Sequence, residues 1–377
     1  ERKWIKLYSA FSSDITVVKP KLEIIKNLRQ FLISIKYWRK IKSKSQLNEL
    51  EHENIHIGFL IYDTYIRFYN TPILKIKSIK LLILIYTAIK NLDFYRSIKI
   101  KELKINYFTP YTSYIASGSI SLGLLHNEKS IISLYSCAFP KKIKKLSKID
   151  QNHSPNFSQY KSIFEILNNK KTKLKTAKIL FESRFLGAKD LTYMNVNVYE
   201  KNGIILNKNF DGILFLHDFM DAPHDYGPLL FNDFYEWAIK SFEYIVKNDL
   251  NIGIKFHPNQ TNESKLVVNK LISDYPQLNW INPKISNKVI FDSGIKYGIS
   301  VFGTVLSELA FHGITPLAAG SNPYESYNFV YNPSSKEEYF DFMKNPKKIK
   351  IQKEELFQFY YIYYIYCDSK INYLSKS

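Results

Sequence analysis

The chain of 377 residues is 45% hydrophobic and 16% aromatic; that is enough to build cores, which excludes a disordered or fibrous protein, and the length suggests about two domains. Its two cysteines, Cys137 and Cys367, exclude a disulfide scaffold and a cysteine zinc cluster, and apolar runs such as 81–89 fall short of the ~20 residues that span a bilayer. The formal charge of +19 arises wholly in residues 1–200, where 35 Lys and Arg face 15 Asp and Glu. An anionic membrane surface, an acidic glycan or a simply solvated basic face suits it better than nucleic acid, for which six arginines are few. No signal-peptide pattern opens the chain at Glu1, and the missing initial Met is consistent with a removed leader or preceding domain. The plain expectation is a soluble protein of a reducing compartment.

In chain order, Leu22, Ile25, Leu28, Leu32 and Ile35 recur at helical spacing among Lys and Arg, predicting one or two basic amphipathic helices in the first 50 residues. Residues 55–63, short, β-branched and aromatic, predict a buried strand ending at Asp63. A helix over 74–90, a strand over 103–108, a helix over 112–125 and a strand over 131–135 complete a β-α-β-α-β run. Such a run predicts a parallel sheet with crossover helices. Residues 141–178 predict loop and helix approaching an interdomain region. A second run follows, with strands over 212–217, 251–257, 288–291, 298–302 and 315–319, and helices over 231–248, 263–274 and 305–312. An aromatic helix over 354–366 closes the chain. The expected fold class is α/β: a basic Rossmann-like domain over 1–200 faces a second over 201–350 across a cleft, and the C-terminal segment 351–377 crosses back onto the first. Ligands of such sheets bind beyond the strand carboxyl ends.

The richest cluster is residues 301–320. A strand ends at Phe302, Gly303 and Thr304 turn, and a helix begins at once, so free backbone N–H groups and the Thr304 hydroxyl offer an anion site. Glu308, one turn on, can accept both hydroxyls of a ribose, or Thr304 is a plain N-cap and Glu308 an exposed helix charge. Upstream, Lys255, His257, Pro258 and Asn259 end a strand. Proline stops the strand and leaves the imidazole at its edge, able to donate to a phosphate with Lys255 or Asn259 assisting.

A strand-terminal His-Pro, then Gly-Thr-x-x-x-Glu opening a helix, then Gly-x-x-Pro, resembles the donor half of bacterial two-Rossmann (GT-B) glycosyltransferases. The likeness is nearest to the capsule and lipopolysaccharide enzymes that use CMP-activated acidic sugars, namely the polysialyltransferases and Kdo transferases. The teichoic acid glycerophosphotransferases are more distant. The stretch from Gly320 to Tyr324 is similar to the Gly-x-x-x-Tyr that follows this strand in capsule proteins. The likeness is specific over 210–330 and looser at 57–67 and 112–115. It implies that His257 contacts the donor phosphate, that Gly303 and Thr304 bind phosphate or the sugar carboxylate, and that Glu308 binds the ribose. Gly-Thr stands where polysialyltransferases carry Ser-Ser, which leaves the sugar open. The resemblance also implies a nucleotide-sugar donor as substrate, no cofactor or catalytic metal, a glycan or lipid-linked glycan acceptor, and a place at the cytoplasmic membrane face. A transferase using CDP-glycerol or a UDP-sugar, or a non-catalytic glycan-binding protein of the same fold, is the alternative.

Two clusters can supply the chemistry. Residues 217–227 hold two His and three Asp after the first strand of the second domain. Asp218, Asp221 and His224 can act in acid–base chemistry with sugar-hydroxyl contacts, as nucleophile or as a metal set, or the segment is an Asp-rich loop capping the next helix through Asp225 and Asn232. In the first domain, Asp63 is a candidate base for the acceptor hydroxyl, and Tyr62 and Arg67 are candidate acceptor contacts. The plain alternative is an Asp63–Arg67 surface pair.

Overall fold

The computed structural model describes residues 23–98, 107–109, 112–127, 131–133, 144–146, 157–186 and 204–366, together with Ser9. Parts of the predicted helices, strands and loops at 1–8, 10–22, 103–106, 134–135, 141–143, 147–156 and 367–377 lie outside them.

The first half is mainly helical among these residues. Helix α1 (Ile24–Lys40) leads to α2 (Lys44–Asn48), capped by the Ser43 hydroxyl, and to a minimal hairpin of β1 (Glu51–His52) and β2 (Ile55–His56). Residues 58–69 then form α3 (Gly58–Tyr69). This corrects the strand expected over 55–63: only Ile55 and His56 are extended, and Asp63 lies mid-helix. The apolar run hid its period, because Ile57, Ile61, Tyr62, Tyr65 and Ile66 are all buried at spacings that only a helix brings to one face. Gly58 opens the helix where a Cβ would lie 2.0 Å from the Leu47 carbonyl oxygen. Helix α4 (Ile79–Ser97) follows, capped by Ser78, and packs on α1 and α3.

Strand β3 (Tyr107–Thr109), helix α5 (Tyr114–His126) and strand β4 (Ile131–Ser133) make one parallel crossover, and β5 (Lys144–Leu146) joins β4 antiparallel. Among the described residues the first half is therefore helices around a small mixed sheet, rather than the expected full Rossmann-like domain. Helices α6 (Tyr160–Glu165) and α7 (Lys170–Phe185) come next; Phe164, Ala177 and Phe181 pack in the core of the second sheet.

That sheet is built from β6 (Gly212–Phe215), α8 (Phe234–Lys247), β7 (Ile252–Lys255), α9 (Asn262–Asp274), β8 (Asn279–Trp280), α10 (Asn287–Asp292), β9 (Tyr297–Ser300), α11 (Val305–Phe311) and β10 (Thr315–Ala318). Helices α12 (Lys336–Lys344) and α13 (Lys353–Tyr360) follow, the latter running into a π-helical turn at 361–365. Residues 288–291 are helical, not a strand, because the Ser286 hydroxyl caps the Val289 N–H and starts α10. The strand order β10-β9-β6-β7-β8 is parallel throughout. Ile213 and Phe215 enter one core with α6, α7, α11 and α13; Leu214 and Leu216 enter the other with α8, α9 and α12. That alternation is the period-2 signature of a sheet buried on both faces. The C-terminal helix reaches residues numbered below 200, but it does so on α6 and α7 beside this second sheet.

Close packing on the sheet leaves little room for added atoms. A Cβ on Gly298 would meet Leu309 Cδ1 at 2.3 Å. Gly298→Ala is expected to lower stability by about 1–3 kcal/mol through overpacking, read as a drop in the denaturant midpoint with unchanged slope.

Candidate functional site

The chain leaves β6 toward β7 and β8, then returns to β9 and β10 on the other side of β6. The crevice at the carboxyl ends of β6 and β9 is thus the switch point, the usual ligand position of such sheets. His217 and Ser300 span it: the imidazole Nε2 lies 3.1 Å from Ser300 Oγ and accepts from the Phe302 N–H at 3.4 Å. Burial, with the nearby His257 second, lowers His217 to about 3, so the ring is neutral and forms the floor of the crevice. Next to it, the Asn259 N–H points to His257 Nδ1 at 3.3 Å. That bond places the proton of neutral His257 on Nε2, and burial lowers its pKa against an opposing contribution from Asp218. His257 is therefore presented as a hydrogen-bond donor at the strand edge.

Loop 217–233 runs from this crevice to the helical unit. Asp218 anchors it from within, its carboxylate accepting from the N–H groups of Met220 (2.8 Å) and Thr261 (2.6 Å). Tyr226 packs edge-on to Phe302 with centroids 4.5 Å apart. His224 then crosses to α3, where Nδ1 lies 2.6 Å from Asp63 Oδ1 with both side chains buried. Its ring stacks on Phe59 at 4.4 Å and meets Tyr62 edge-on, and Asn48 Nδ2 lies 3.3 Å from Nε2. With the Nδ1 proton directed at the carboxylate, Nε2 keeps its lone pair and accepts from the Asn48 amide. Asp63 and His224, expected as rival candidates on opposite sides of the cleft, are one pair.

The pair borders a cavity of about 730 Å³ between the two halves. Ile55, Phe59, Leu60, Leu122, Leu229 and Phe231 give it an apolar wall, and Asn48, Ser113 and Asp225 supply polar groups. Ser113 donates to Asp225. Burial, followed by the Asp63 and Asp221 charges, raises Asp225 to about 7 against the Ser113 bond. Asp221, on the same loop, has an accessible side chain 3.9 Å from Arg67, whose guanidinium also approaches the Met220 carbonyl.

Several sequence-predicted residues are engaged elsewhere. Lys255 is buried, donating to the carbonyls of Pro283 and Ile285 at 2.9 and 2.6 Å; burial lowers it to about 8. It ties down the loop after β8 rather than facing the crevice. Glu308 is neither exposed nor open to a ribose, because it forms a buried pair with Arg184 of α7 at 3.0 Å. Tyr324 is buried and donates to the Gly303 carbonyl at 3.2 Å, bracing the Gly303–Thr304 turn from behind. Thr304 makes no side-chain cap. Tyr62 is fully buried and donates to Asp233, which removes it from the acceptor contacts. Asp233, not Asp225 or Asn232, caps α8, and it also pairs with Lys44 at 2.6 Å. Asp218 is held as a loop anchor, so it is not free to be a nucleophile. Asn48, Ser113 and Asp225 are cavity groups that the sequence reading did not place in the site; Asp225 had a signal in the His/Asp loop and Ser113 in the 112–115 stretch of looser resemblance.

No protein-family model matches the chain, and no curated protein matches it. Among solved structures it is similar to the β-Kdo 2,4-transferase KpsC of Thermosulfurimonas dismutans, at 12% identity and a TM-score of 0.34. The alignment covers 54% of this chain and 62% of that one, so the chain spans less than two thirds of that protein. A likeness this shallow leaves fold and chemistry to rest on the residues themselves. Among the described residues no helix is long and apolar enough to cross a membrane.

Two expectations follow. Glu308→Gln removes the buried carboxylate that pairs with Arg184 and is expected to lower stability, read as a drop in the urea midpoint. Asp225 has a folded-state pKa raised to about 7, above the ~3.9 of an unfolded aspartate. The native state therefore binds more protons, so stability present at about pH 4 is lost as pH rises to about 7. Asp225→Asn is expected to flatten that slope in thermal melts across this range.

Proposed function

We propose that this protein is a glycosyltransferase of the two-domain GT-B plan. In this reading the crevice of the second sheet holds a nucleotide-activated sugar and the cavity beside α3 takes the acceptor hydroxyl. The observation that carries it is the Asp63–His224 pair, a buried carboxylate and imidazole drawn from the two halves and bordering the cavity between them. A base at an acceptor hydroxyl needs its nitrogen lone pair exposed to substrate and its other nitrogen held by an acceptor. Asp63 holds Nδ1 of His224, and the Nε2 lone pair, which accepts from the Asn48 amide at 3.3 Å, reaches substrate when the acceptor hydroxyl takes that amide's place.

In the transfer, the acceptor oxygen attacks the anomeric carbon and its proton passes to His224 Nε2. The bond from that carbon to the phosphate oxygen breaks, and the nucleotide leaves with the electron pair. Asp63 stabilises the imidazolium that forms. His257, donating from Nε2, and the Gly303–Thr304 turn are the groups suited to the departing phosphate. Asn48 Oδ1 is buried without a hydrogen-bond partner and offers an acceptor for a sugar hydroxyl. The motif resemblance supports a CMP-linked acidic sugar, Kdo or another nonulosonate, as donor and a surface polysaccharide or lipid-linked glycan as acceptor.

Transfer measured with a panel of CMP-, CDP- and UDP-activated donors tests this. His224→Ala and Asp63→Asn are each expected to lower kcat by about a hundredfold or more while donor affinity by calorimetry is retained. Wild-type turnover in both variants, or no turnover by the native protein with any donor, overturns the reading.

A further inference from the structure

Helix α1 carries apolar residues on two sides. Inward, Ile33, Tyr37 and Trp38 pack on the core beside buried Gln30 and Ser34, Gln30 Nε2 donating to Asp93 Oδ2 and Ser34 Oγ to the Gln30 carbonyl, both at 2.8 Å. Outward, Ile24 is 74%, Ile25 86%, Leu28 58%, Phe31 40% and Leu32 58% exposed. At 100° per residue these five fall within an arc of about 120°, so they form one stripe rather than scattered surface residues. Phe31 meets Tyr86 of α4 edge-on at 5.8 Å, and α4 adds Ile79 at 71% and Ile83 at 51% exposure. A helix packed on a core by one side ordinarily turns polar residues outward, and a second, outward apolar face of this kind marks an interaction surface.

The charges on the face select its occupant. Arg29, Lys36, Arg39 and Lys40 are exposed on the same helix; its sequence from Ile24 to Lys40 contains no Asp or Glu. Arg29, Lys36 and Lys40 fall along one margin of the stripe, where their stems can cover apolar surface while the charges reach outward. A two-fold contact between copies would place this cationic margin near its own equivalent, without carboxylates on the helix to answer it. Anionic headgroups answer it directly, and acyl chains accept the apolar arc. The geometry points to a docking surface for an anionic lipid bilayer, formed by the outward face of α1 with Ile79 and Ile83, on which the protein lies in the interfacial plane. The inference is independent of the transferase reading, since it concerns binding and not turnover.

Co-sedimentation of the full chain with phosphatidylcholine vesicles, with and without phosphatidylglycerol, tests it. Binding is expected on the phosphatidylglycerol vesicles and is expected to weaken as salt rises, because exposed charges are screened within ~8–10 Å. The double variant Leu28→Glu, Leu32→Glu is expected to bind at least tenfold more weakly with an unchanged melting temperature, since both positions are exposed. Leu266→Glu, at a 70% exposed leucine of α9, is the control expected to bind as wild type. Three results overturn the proposal: no binding of the native protein to phosphatidylglycerol vesicles, undiminished binding of the double variant, or a native dimer in sedimentation velocity that the double variant splits into monomers.

Discussion

The contact between Asp63 and His224 constrains the arrangement of the two halves. A buried carboxylate and a buried imidazole each lose hydration, and each must recover a hydrogen bond within the protein. Here each is satisfied by a residue of the other half, 2.6 Å away. Separating the halves would strand both. The stacked Phe59 ring on one face of His224 fixes the imidazole plane, so the direction of Nε2 follows from packing rather than from a mobile side chain.

Loop 217–233 can present His224 because aspartates hold it at both ends. Asp218 binds the N–H groups of Met220 and Thr261. At the far end Asp233 caps α8 while accepting from Tyr62 and Lys44 of the helical half. A loop fixed in this way has little conformational freedom left, so the His224 imidazole is held in one place. The acidic residues of this segment therefore divide their work: Asp218 and Asp233 hold the backbone, while Asp225 lines the cavity between the halves.

The crevice at the switch point is prepared differently. Its floor is a neutral His217 and Ser300 between β6 and β9, and its rim carries His257 and the Gly303–Thr304 turn. Lys255 and Glu308, the charged residues of the two motifs, point away into buried bonds. Motif spacing identified the right strand ends; the side chains that remain open there are the neutral hydrogen-bonding ones.

Much of the second sheet was legible in the sequence. Strands near 212–215, 252–255, 297–300 and 315–318 and the helices between them announce themselves through short β-branched runs alternating with amphipathic segments, a local signal that burial on both faces reinforces. The basic, amphipathic character of α1 was equally legible, but not which side of it faces the core. Residues 55–63 misled because an unbroken apolar run has no visible period, and only the docking of Gly58 against the Leu47 carbonyl decides for a helix. Asp63 and His224 were each visible as candidates, yet 161 residues separate them, and no local pattern encodes their meeting. The burial of Glu308 against Arg184 is of the same kind, since α7 had to be placed on the second sheet first. Sequence by itself determined most local periods of the second sheet and the charged segments, because these arise from neighbours along the chain. Tertiary structure alone decided which charges pair and which remain open, because desolvation and hydrogen-bond partnership depend on residues brought together from distant parts of the chain.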